Sequence, residues 1–170
     1  MAATKTRPHS AERIEVDAVS GRAICTACFD LETSHLTGNF GVILCAVIKP
    51  DGEEPIILRG DEICPQWAKS RSNDQPLVRA IATELARYDL LVAHNGVRFD
   101  VPFLQTRLMR WKMRPFPNKK IIDPCKIARN RFRLSNNRLE TVADFLGLGK
   151  KTPVEGDVWL RASLDGDKKA

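Results

Sequence analysis

The order of its apolar runs constrains the fold of this 170-residue chain most strongly. Three short apolar runs come first, at 23–30, 40–48 and 55–58, and the second is rich in Val, Ile and Leu. Such runs joined by short turns predict an antiparallel meander of three strands. Helical periods then alternate with two more strand-like runs, at 89–94 and 120–123. This order predicts an α/β fold with helices packed on a mixed sheet.

Four helices are predicted in the chain after the meander, one of them before the run at 89–94. The first follows Asp74 and the second carries an apolar stripe between Phe99 and Trp111. A short helix at 125–132 and a last one at 139–146 complete the set. Ser135 or Asn137 is the expected N-cap of the last helix, and Gly147 is expected to end it.

Composition indicates an ordinary soluble domain. The chain is 43% hydrophobic and 28% charged, and it has no apolar run long enough to cross a bilayer. Residues 1–10 lack the apolar middle of a secretory signal, so we expect a cytoplasmic protein with no membrane partner. Residues 1–20 are polar without a sustained period and are predicted to form a flexible N-terminal tail.

The five cysteines suit buried thiols in a reducing compartment. Cys25 and Cys28 have the spacing of a zinc or redox motif, but residues i and i+3 of a strand face opposite sides. No second such pair follows, so we do not expect a metal or redox role for them.

Positive charge is concentrated in one segment. Residues 107–138 contain eleven Lys and Arg but only one acid, Asp123. A segment of this kind attracts a polyanion, most commonly nucleic acid. The alternative is a set of solvated helix faces, although these normally carry both signs of charge.

Two carboxylates, Asp30 and Glu32, follow the first apolar run one residue apart. Residues i and i+2 of a strand point to the same side, so the two should project together. Neighbouring carboxylates repel each other unless a proton or cation lies between them. Carboxylate oxygens suit Mg²⁺ or Mn²⁺, which commonly serve phosphate chemistry. The alternative is a strand that runs into solvent, where the two acids have no special role.

A second acidic motif follows the run at 89–94. The turn Asn95-Gly96 leads into a helix whose first turn holds Asp100, with Phe99 anchoring it to the core. Open α/β sheets bind ligands at such strand ends. Asn95 could therefore hydrogen-bond to a substrate or across the turn. The alternative for Asp100 is a helix-start role that favours the helix dipole.

Taken together, the two motifs resemble the DnaQ-like, or DEDD, 3′–5′ exonucleases of the RNase H-like superfamily. Residues 30–33 are similar to the first motif of that family and residues 95–100 to the second. The resemblance spans roughly residues 22–165 and is nearest to the YprB-like and family-B-polymerase-type exonuclease domains. It implies an RNase H-like fold, with a mixed five-stranded sheet flanked by helices.

The resemblance also implies two-metal hydrolysis of nucleic-acid phosphodiesters. Asp30, Glu32 and Asp100 would be catalytic and would hold two Mg²⁺ or Mn²⁺ ions about 3.5–4 Å apart. Asp123 is either an outer-shell acid or a structural residue at a strand end. The substrate-binding residues implied for the terminal nucleotide are Thr33, Asn39, Phe40, Asn95 and Phe99.

The final motif of the family is not found. It consists of a fourth carboxylate on a C-terminal helix, preceded by a His or Tyr that orients or deprotonates the attacking water. The sequence contains neither His nor Tyr after Asp123, and the late acids Asp157, Asp165 and Asp167 lack that setting. We therefore expect a C-terminally incomplete domain whose last helix is absent. A partner chain or a missing C-terminal segment would then supply the last carboxylate.

These observations lead to one preferred function and two alternatives. We expect residues 21–170 to form an exonuclease domain that acts on a single strand or a 3′ end of nucleic acid. It would be inactive if nothing supplies the fourth carboxylate. The alternatives are a catalytically inactive RNase H-like nucleic-acid-binding module and an RNase H-like endonuclease or resolvase. The sequence leaves DNA and RNA open as substrates.

Overall fold

The structure is a computed structural model and describes residues 21–149. Within that range a sheet of five strands forms in the order β3-β2-β1-β4-β5. The strands are β1 (Thr26–Thr33), β2 (Ile43–Pro50), β3 (Ile56–Arg59), β4 (Leu90–Val92) and β5 (Lys120–Ile122). The expected flexible tail at 1–20 and the expected break before a last helix both lie outside the described residues, as do Asp157, Asp165 and Asp167.

The sheet is mixed, as the order of apolar runs predicts. β1 pairs antiparallel with β2, and β2 pairs antiparallel with β3. β1 pairs parallel with β4, which in turn pairs parallel with β5. The first three strands therefore form the predicted meander. The parallel pairs arise where helices cross over between strands.

Five helices lie within residues 21–149. They are α1 (Gly60–Ile63), α2 (Gln75–Leu85), α3 (Asp100–Arg110), α4 (Pro124–Arg131) and α5 (Leu139–Phe145). The one-turn helix α1 was not predicted. The expected N-cap of α5 was wrong, because Arg138 occupies that position and makes no side-chain cap. The Asn136 side chain instead accepts a hydrogen bond from the Arg138 amide at 3.0 Å. Gly147 follows α5 with φ of 69°, the left-handed conformation expected where a helix ends.

One face of β1 is part of the hydrophobic core. Ala27, Phe29 and Leu31 are buried, whereas Cys28 and Asp30 between them are exposed. The apolar stripes of α2 and α3 cover the buried face, with Leu77, Val78, Ile81, Leu85, Phe103, Leu104 and Leu108. Burial of each such large side chain stabilises the fold by about 1.5–3 kcal/mol. This packing fixes where the first turn of α3 meets β1.

A buried ion pair connects the two core helices. Asp74, at the start of α2, is 0% exposed and Arg107 of α3 is 4% exposed. The two oxygens of Asp74 accept hydrogen bonds from Arg107 Nη2 at 2.7 Å and from Arg107 Nε at 2.9 Å. They also accept from Trp111 Nε1 at 2.7 Å and from the Ile43 amide at 2.9 Å. The carboxylate of Asp74 therefore links α2, α3 and the start of β2.

Membrane association through a spanning helix has no support in this part of the chain. None of the helices between residues 21 and 149 has the length and apolar character needed to cross a bilayer.

Candidate active site

Asp30 and Glu32 lie within β1, which continues to Thr33. Their side chains share the face of the sheet opposite the core, as the two-residue strand period predicts. Asp30 is exposed and Glu32 is half-buried, while Leu31 between them points into the core. The strand irregularity between Glu32 and Thr33 follows directly after this pair.

Asp100 reaches the same stretch of β1 from the first turn of α3. Its carboxylate Oδ1 accepts a hydrogen bond from the Leu31 amide at 3.0 Å. β4 pairs with β1 only as far as Cys28 and Val92, so it offers no backbone acceptor beside Leu31. The side chain of Asp100 satisfies that amide in its place. The structure thus brings an acid 69 positions away in sequence to the backbone between Asp30 and Glu32.

Burial and repulsion both act on the Asp100 carboxylate, which is 3% exposed. Desolvation is the main cause that raises its pKa from 3.8 to about 6, and the negative charges of Asp30 and Asp123 raise it further. The hydrogen bond from the Leu31 amide acts in the opposite direction on this pKa. A cation beside Asp30 and Asp100 would remove the repulsion and favour the ionised form.

Glu32 extends the negative potential along the strand towards β2. Cys45 lies opposite Glu32 in the β1–β2 register. Burial raises the pKa of the Cys45 thiol to about 11, and the charges of Glu32 and then Asp30 add to that increase. The carboxylates of the Asp-x-Glu motif therefore act on the same outer surface of the sheet, and Cys45 is held as a neutral thiol.

The turn at 95–97 positions the start of α3. Asp123 accepts hydrogen bonds from the Asn95 amide at 2.8 Å and the Val97 amide at 3.3 Å, and it caps α4 by accepting from the Lys126 amide at 3.1 Å. Asn95 has φ of 66°. A Cβ at Gly96 would lie 2.3 Å from the Ala93 Cβ, so only glycine fits there. Asp123 therefore has a structural role at a strand end. Its hydrogen bonds to the turn at 95–97 were not predicted, because the two segments are distant in sequence.

The loop at 34–41 follows β1 and packs closely on α3. Thr33 Oγ1 donates to the His35 carbonyl at 2.8 Å. A Cβ at Gly38 would lie 3.0 Å from the Thr106 side chain, and the Gly38 carbonyl accepts from Arg107 Nη1 at 3.1 Å. The buried ion pair of α3 therefore also fixes this loop.

The remaining residues implied for substrate binding differ in exposure. Asn39 and Phe40 are exposed at the tip of the loop, with Phe40 80% exposed and its ring edge-on to His35. Phe99 is partly buried, and its ring centroid lies 5.7 Å from that of Phe103. Phe99 thus contributes to core packing, whereas Phe40 offers a free aromatic surface to a ligand.

The basic segment is not uniformly available to a polyanion. Arg107 is buried in its ion pair, and Lys119 Nζ donates to the carbonyls of Ala86 and Tyr88 at 2.7 Å each. The other nine cations of the segment are exposed: Arg110, Lys112, Arg114, Lys120, Lys126, Arg129, Arg131, Arg133 and Arg138. Sequence counting could not separate the two structural cations from these nine, because the difference depends on which way each helix face points.

The carboxylates at β1 and α3 fit a divalent ion only in part. Among residues 21–149 no group of three or more His, Cys, Asp or Glu side chains is arranged to hold a metal ion by itself. Their chemistry is nevertheless suitable, because Mg²⁺ prefers oxygen ligands and often takes one or two carboxylates together with water and substrate phosphate. Asp30 and Asp100 provide such a pair of repelling carboxylates. The residues therefore suit an ion bound jointly with a phosphate substrate rather than inside a closed protein cage.

Comparisons with known proteins agree with this architecture. The profile of a family described as the RNase_H superfamily matches residues 27–159. A PolC-type DNA polymerase III of Ureaplasma parvum is 28% identical over 131 residues, which cover 67% of this chain and 9% of that protein. A PolC-type DNA polymerase III of Mycoplasma genitalium is 30% identical over 113 residues, covering 57% of this chain and 8% of that protein. The chain thus spans less than a tenth of the length of these curated relatives.

A solved structure shows the same fold. The family B DNA polymerase of the archaeon Pyrobaculum calidifontis matches with a TM-score of 0.66 at 14% identity, over 82% of this chain and 21% of the polymerase. Together with the mixed five-stranded sheet and its flanking helices, this confirms the predicted RNase H-like fold. Because the family profile covers most of the chain, this protein belongs to the RNase H superfamily.

Proposed function

We propose that this chain is a metal-dependent nuclease domain that removes nucleotides from the 3′ end of a nucleic-acid strand. The RNase H superfamily membership and the polymerase relatives support a nuclease function in general. One observation supports the assignment to these residues: Asp100 is hydrogen-bonded to the Leu31 amide, between Asp30 and Glu32. The buried acid of the second motif therefore contacts the strand that carries the two acids of the first.

Each acid has a distinct part in the proposed site. Asp100 is buried and held by the Leu31 amide, so it keeps one carboxylate oxygen in a fixed place. Asp30 is exposed beside it and can adjust to a ligand that brings its own phosphate oxygens. Glu32 is half-buried and adds a third carboxylate on the same strand face. These three would hold the two Mg²⁺ or Mn²⁺ ions.

When bound, such ions supply an activated water and stabilise the charge on the leaving 3′ oxygen. The residues of the protein hold the terminal nucleotide in position for this reaction. Attack of the water on the terminal phosphodiester breaks the bond between phosphorus and the 3′ oxygen, which releases a 5′-mononucleotide and leaves a new 3′ hydroxyl. The exposed Phe40 and Asn39 would contact the terminal nucleotide from the loop, with Thr33 at its base and Asn95 and Phe99 on the opposite wall.

A second candidate function is nucleic-acid binding without cleavage. It is favoured by the nine exposed cations of the 107–138 segment and by the lack of a ready three-donor metal site in residues 21–149. In that case binding would depend on salt, because counterions are released from the phosphates, but it would not depend on a divalent ion.

A nuclease assay separates the two candidates. We expect a 5′-labelled single-stranded DNA to shorten progressively with Mg²⁺ or Mn²⁺, whereas a circular single strand, which has no end, stays intact. DNA is tested first because the matched relatives are named as DNA polymerases, and RNA of the same sequence follows.

The matched variants are Asp30→Ala and, as control, Asp51→Ala in the exposed turn after β2. The first should lower the rate by about 10²–10⁴-fold, the usual effect of removing a catalytic group, and the second should not change it. Unchanged strand binding in EDTA with no cleavage under any metal would favour the binding module. Linearised circles would indicate an endonuclease instead.

A further inference from the structure

A cavity lined by both apolar and charged residues lies next to Asn95, one of the residues proposed to bind substrate. Its volume is about 570 Å³, within the range of roughly 300–1,000 Å³ that is usual for ligand sites. Three segments meet around it: His94 and Asn95 after β4, Cys125 and Arg129 of α4, and Asn137 and Arg138 before α5. Because no two of these segments are adjacent in sequence, the cavity exists only in the folded chain.

Two buried polar atoms among its lining residues have no hydrogen-bond partner within residues 21–149. They are His94 Nδ1 and Asn137 Oδ1. The other ring nitrogen of His94 already bonds to the Asn137 carbonyl at 2.9 Å, which fixes the orientation of the ring. Buried polar atoms without partners are costly and uncommon in folded proteins. Both side chains therefore have unused hydrogen-bonding capacity where they border the cavity.

The charge of the lining is positive. Arg129 makes one weak contact with the described part of the chain, from Nη2 to Cys125 Sγ at 3.6 Å. Arg138 lies 3.8 Å from Glu140, in an ion pair whose two side chains are mostly exposed. Such a pair contributes little to stability, so Arg138 can turn to another anion at small cost. Two guanidinium groups against one carboxylate favour an anionic ligand, and guanidinium groups match the geometry of phosphate.

The cavity is connected to the carboxylate site through one turn. Asn95 lines the cavity and begins the turn that Asp123 holds, and this turn leads into α3 and Asp100. Asn95 is also one of the residues proposed to bind the terminal nucleotide, so the cavity is the neighbouring site for the rest of the strand. A nucleic-acid strand carries a phosphate at every nucleotide.

We propose that this cavity is a second substrate subsite, which binds a nucleotide upstream of the 3′-terminal one. Arg129 and Arg138 contact its phosphate, and the side chains of His94 and Asn137 border the nucleotide. The inference rests on the proposed function for its polarity along the strand, but the subsite itself can be tested by binding alone.

The first test measures binding of a fluorescein-labelled single-stranded 12-mer in EDTA by anisotropy, at several salt concentrations. Arg129→Ala should weaken binding about tenfold, as expected for one lost charged hydrogen bond. It should also reduce the salt slope by about 0.7, the value for one phosphate contact on a single strand. Arg131→Ala is the matched control, because it removes the same charge from an exposed position of α4 outside the cavity. It should weaken binding less than twofold, and Arg129→Lys should recover part of the loss.

The second test compares hydrolysis of the strand with hydrolysis of the p-nitrophenyl ester of thymidine 5′-monophosphate, which reaches only the terminal site. The ratio of kcat/KM for the strand to that for the ester should fall about tenfold in Arg129→Ala and stay at the wild-type value in Arg131→Ala.

The outcomes separate the two proposals. Selective loss of binding in Arg129→Ala supports the subsite even if neither substrate is hydrolysed, a result that would reject only the nuclease function. Equal losses in Arg129→Ala and Arg131→Ala, or no loss in either, would overturn the subsite whatever the hydrolysis shows. Thermal unfolding of each variant verifies that it is folded, and Arg138→Ala repeats the binding test at the second guanidinium.

Discussion

Asp100→Asn should make the metal-free protein more stable while it damages the proposed site. Asp100 is almost completely buried beside Asp30, and its pKa is raised from 3.8 to about 6, first by desolvation. Ionising this group in the folded protein therefore costs free energy that an amide does not. The Asn side-chain oxygen can still accept the hydrogen bond from the Leu31 amide, so the substitution keeps the contact and removes the charge.

The expected size follows from the two pKa values. One pKa unit is worth about 1.36 kcal/mol, so the difference between 3.8 and about 6 costs the folded state about 3 kcal/mol once Asp100 is fully ionised. Between these values the folded protein keeps a proton that the unfolded chain has lost. The wild-type free energy of unfolding should therefore fall as the pH rises from about 4 to about 6, and this contribution should then level off. The variant should gain about 3 kcal/mol over wild type at pH 7.5 and about 1 kcal/mol at pH 4.5.

Urea denaturation in EDTA, followed by tryptophan fluorescence, measures this difference at both pH values. The exposed Asp51 provides a control. Asp51→Asn should leave unchanged the difference between the free energies of unfolding measured at the two pH values. A variant that is less stable than wild type at pH 7.5, or that gains the same amount at both pH values, would refute the reasoning.

Three further substitutions test how the site is supported. Asp74→Ala should lower the free energy of unfolding by about 3–5 kcal/mol in urea denaturation, because it leaves the Arg107 charge buried without its carboxylate; a loss below 1 kcal/mol would mean that the pair does not stabilise the fold. Asp123→Ala should cost about 1–3 kcal/mol per buried amide that is left without an acceptor, and it should speed hydrogen exchange at the amide of Asn95; unchanged exchange there would show that another group holds the turn. Gly96→Ala should cost about 1–3 kcal/mol in thermal unfolding, because its Cβ would overlap that of Ala93, and an unchanged Tm would contradict the close approach.

Local patterns were sufficient to predict the strands, whereas the meeting of the two acidic motifs was implied by the family resemblance. The two-residue period of β1 places Asp30 and Glu32 on one face, and the apolar run of β4 followed by Asn95-Gly96 marks a strand end. The helix stripe that begins at Phe99 then directs α3 back onto the sheet. Each of these signals is confined to a few consecutive residues, which is why it can be read without coordinates.

Contacts between distant segments were not predictable in the same way. Asp74 has the position of an ordinary helix start, yet its side chain turns inward to Arg107, 33 residues away. In the sequence Arg107 is indistinguishable from the other cations of the basic segment, because the direction that its helix face takes is not known. The cavity beside Asn95 likewise joins three separate segments, and nothing local marks His94 or Asn137 as members of one site. The ion pair and the cavity both depend on how the helices are rotated relative to each other, and residue periodicity does not determine that rotation.

Direct titration with Mn²⁺ is the sharpest test of the central claim, that Asp30, Glu32 and Asp100 form one metal site completed by substrate phosphate. Electron paramagnetic resonance of free Mn²⁺ counts the bound ions with and without a nonhydrolysable single strand. We expect tight binding of about two ions only when the strand is present, and its loss in the Asp30→Ala, Asp100→Ala double variant. Equal Mn²⁺ binding by wild type and this double variant, with the strand present, would contradict the account.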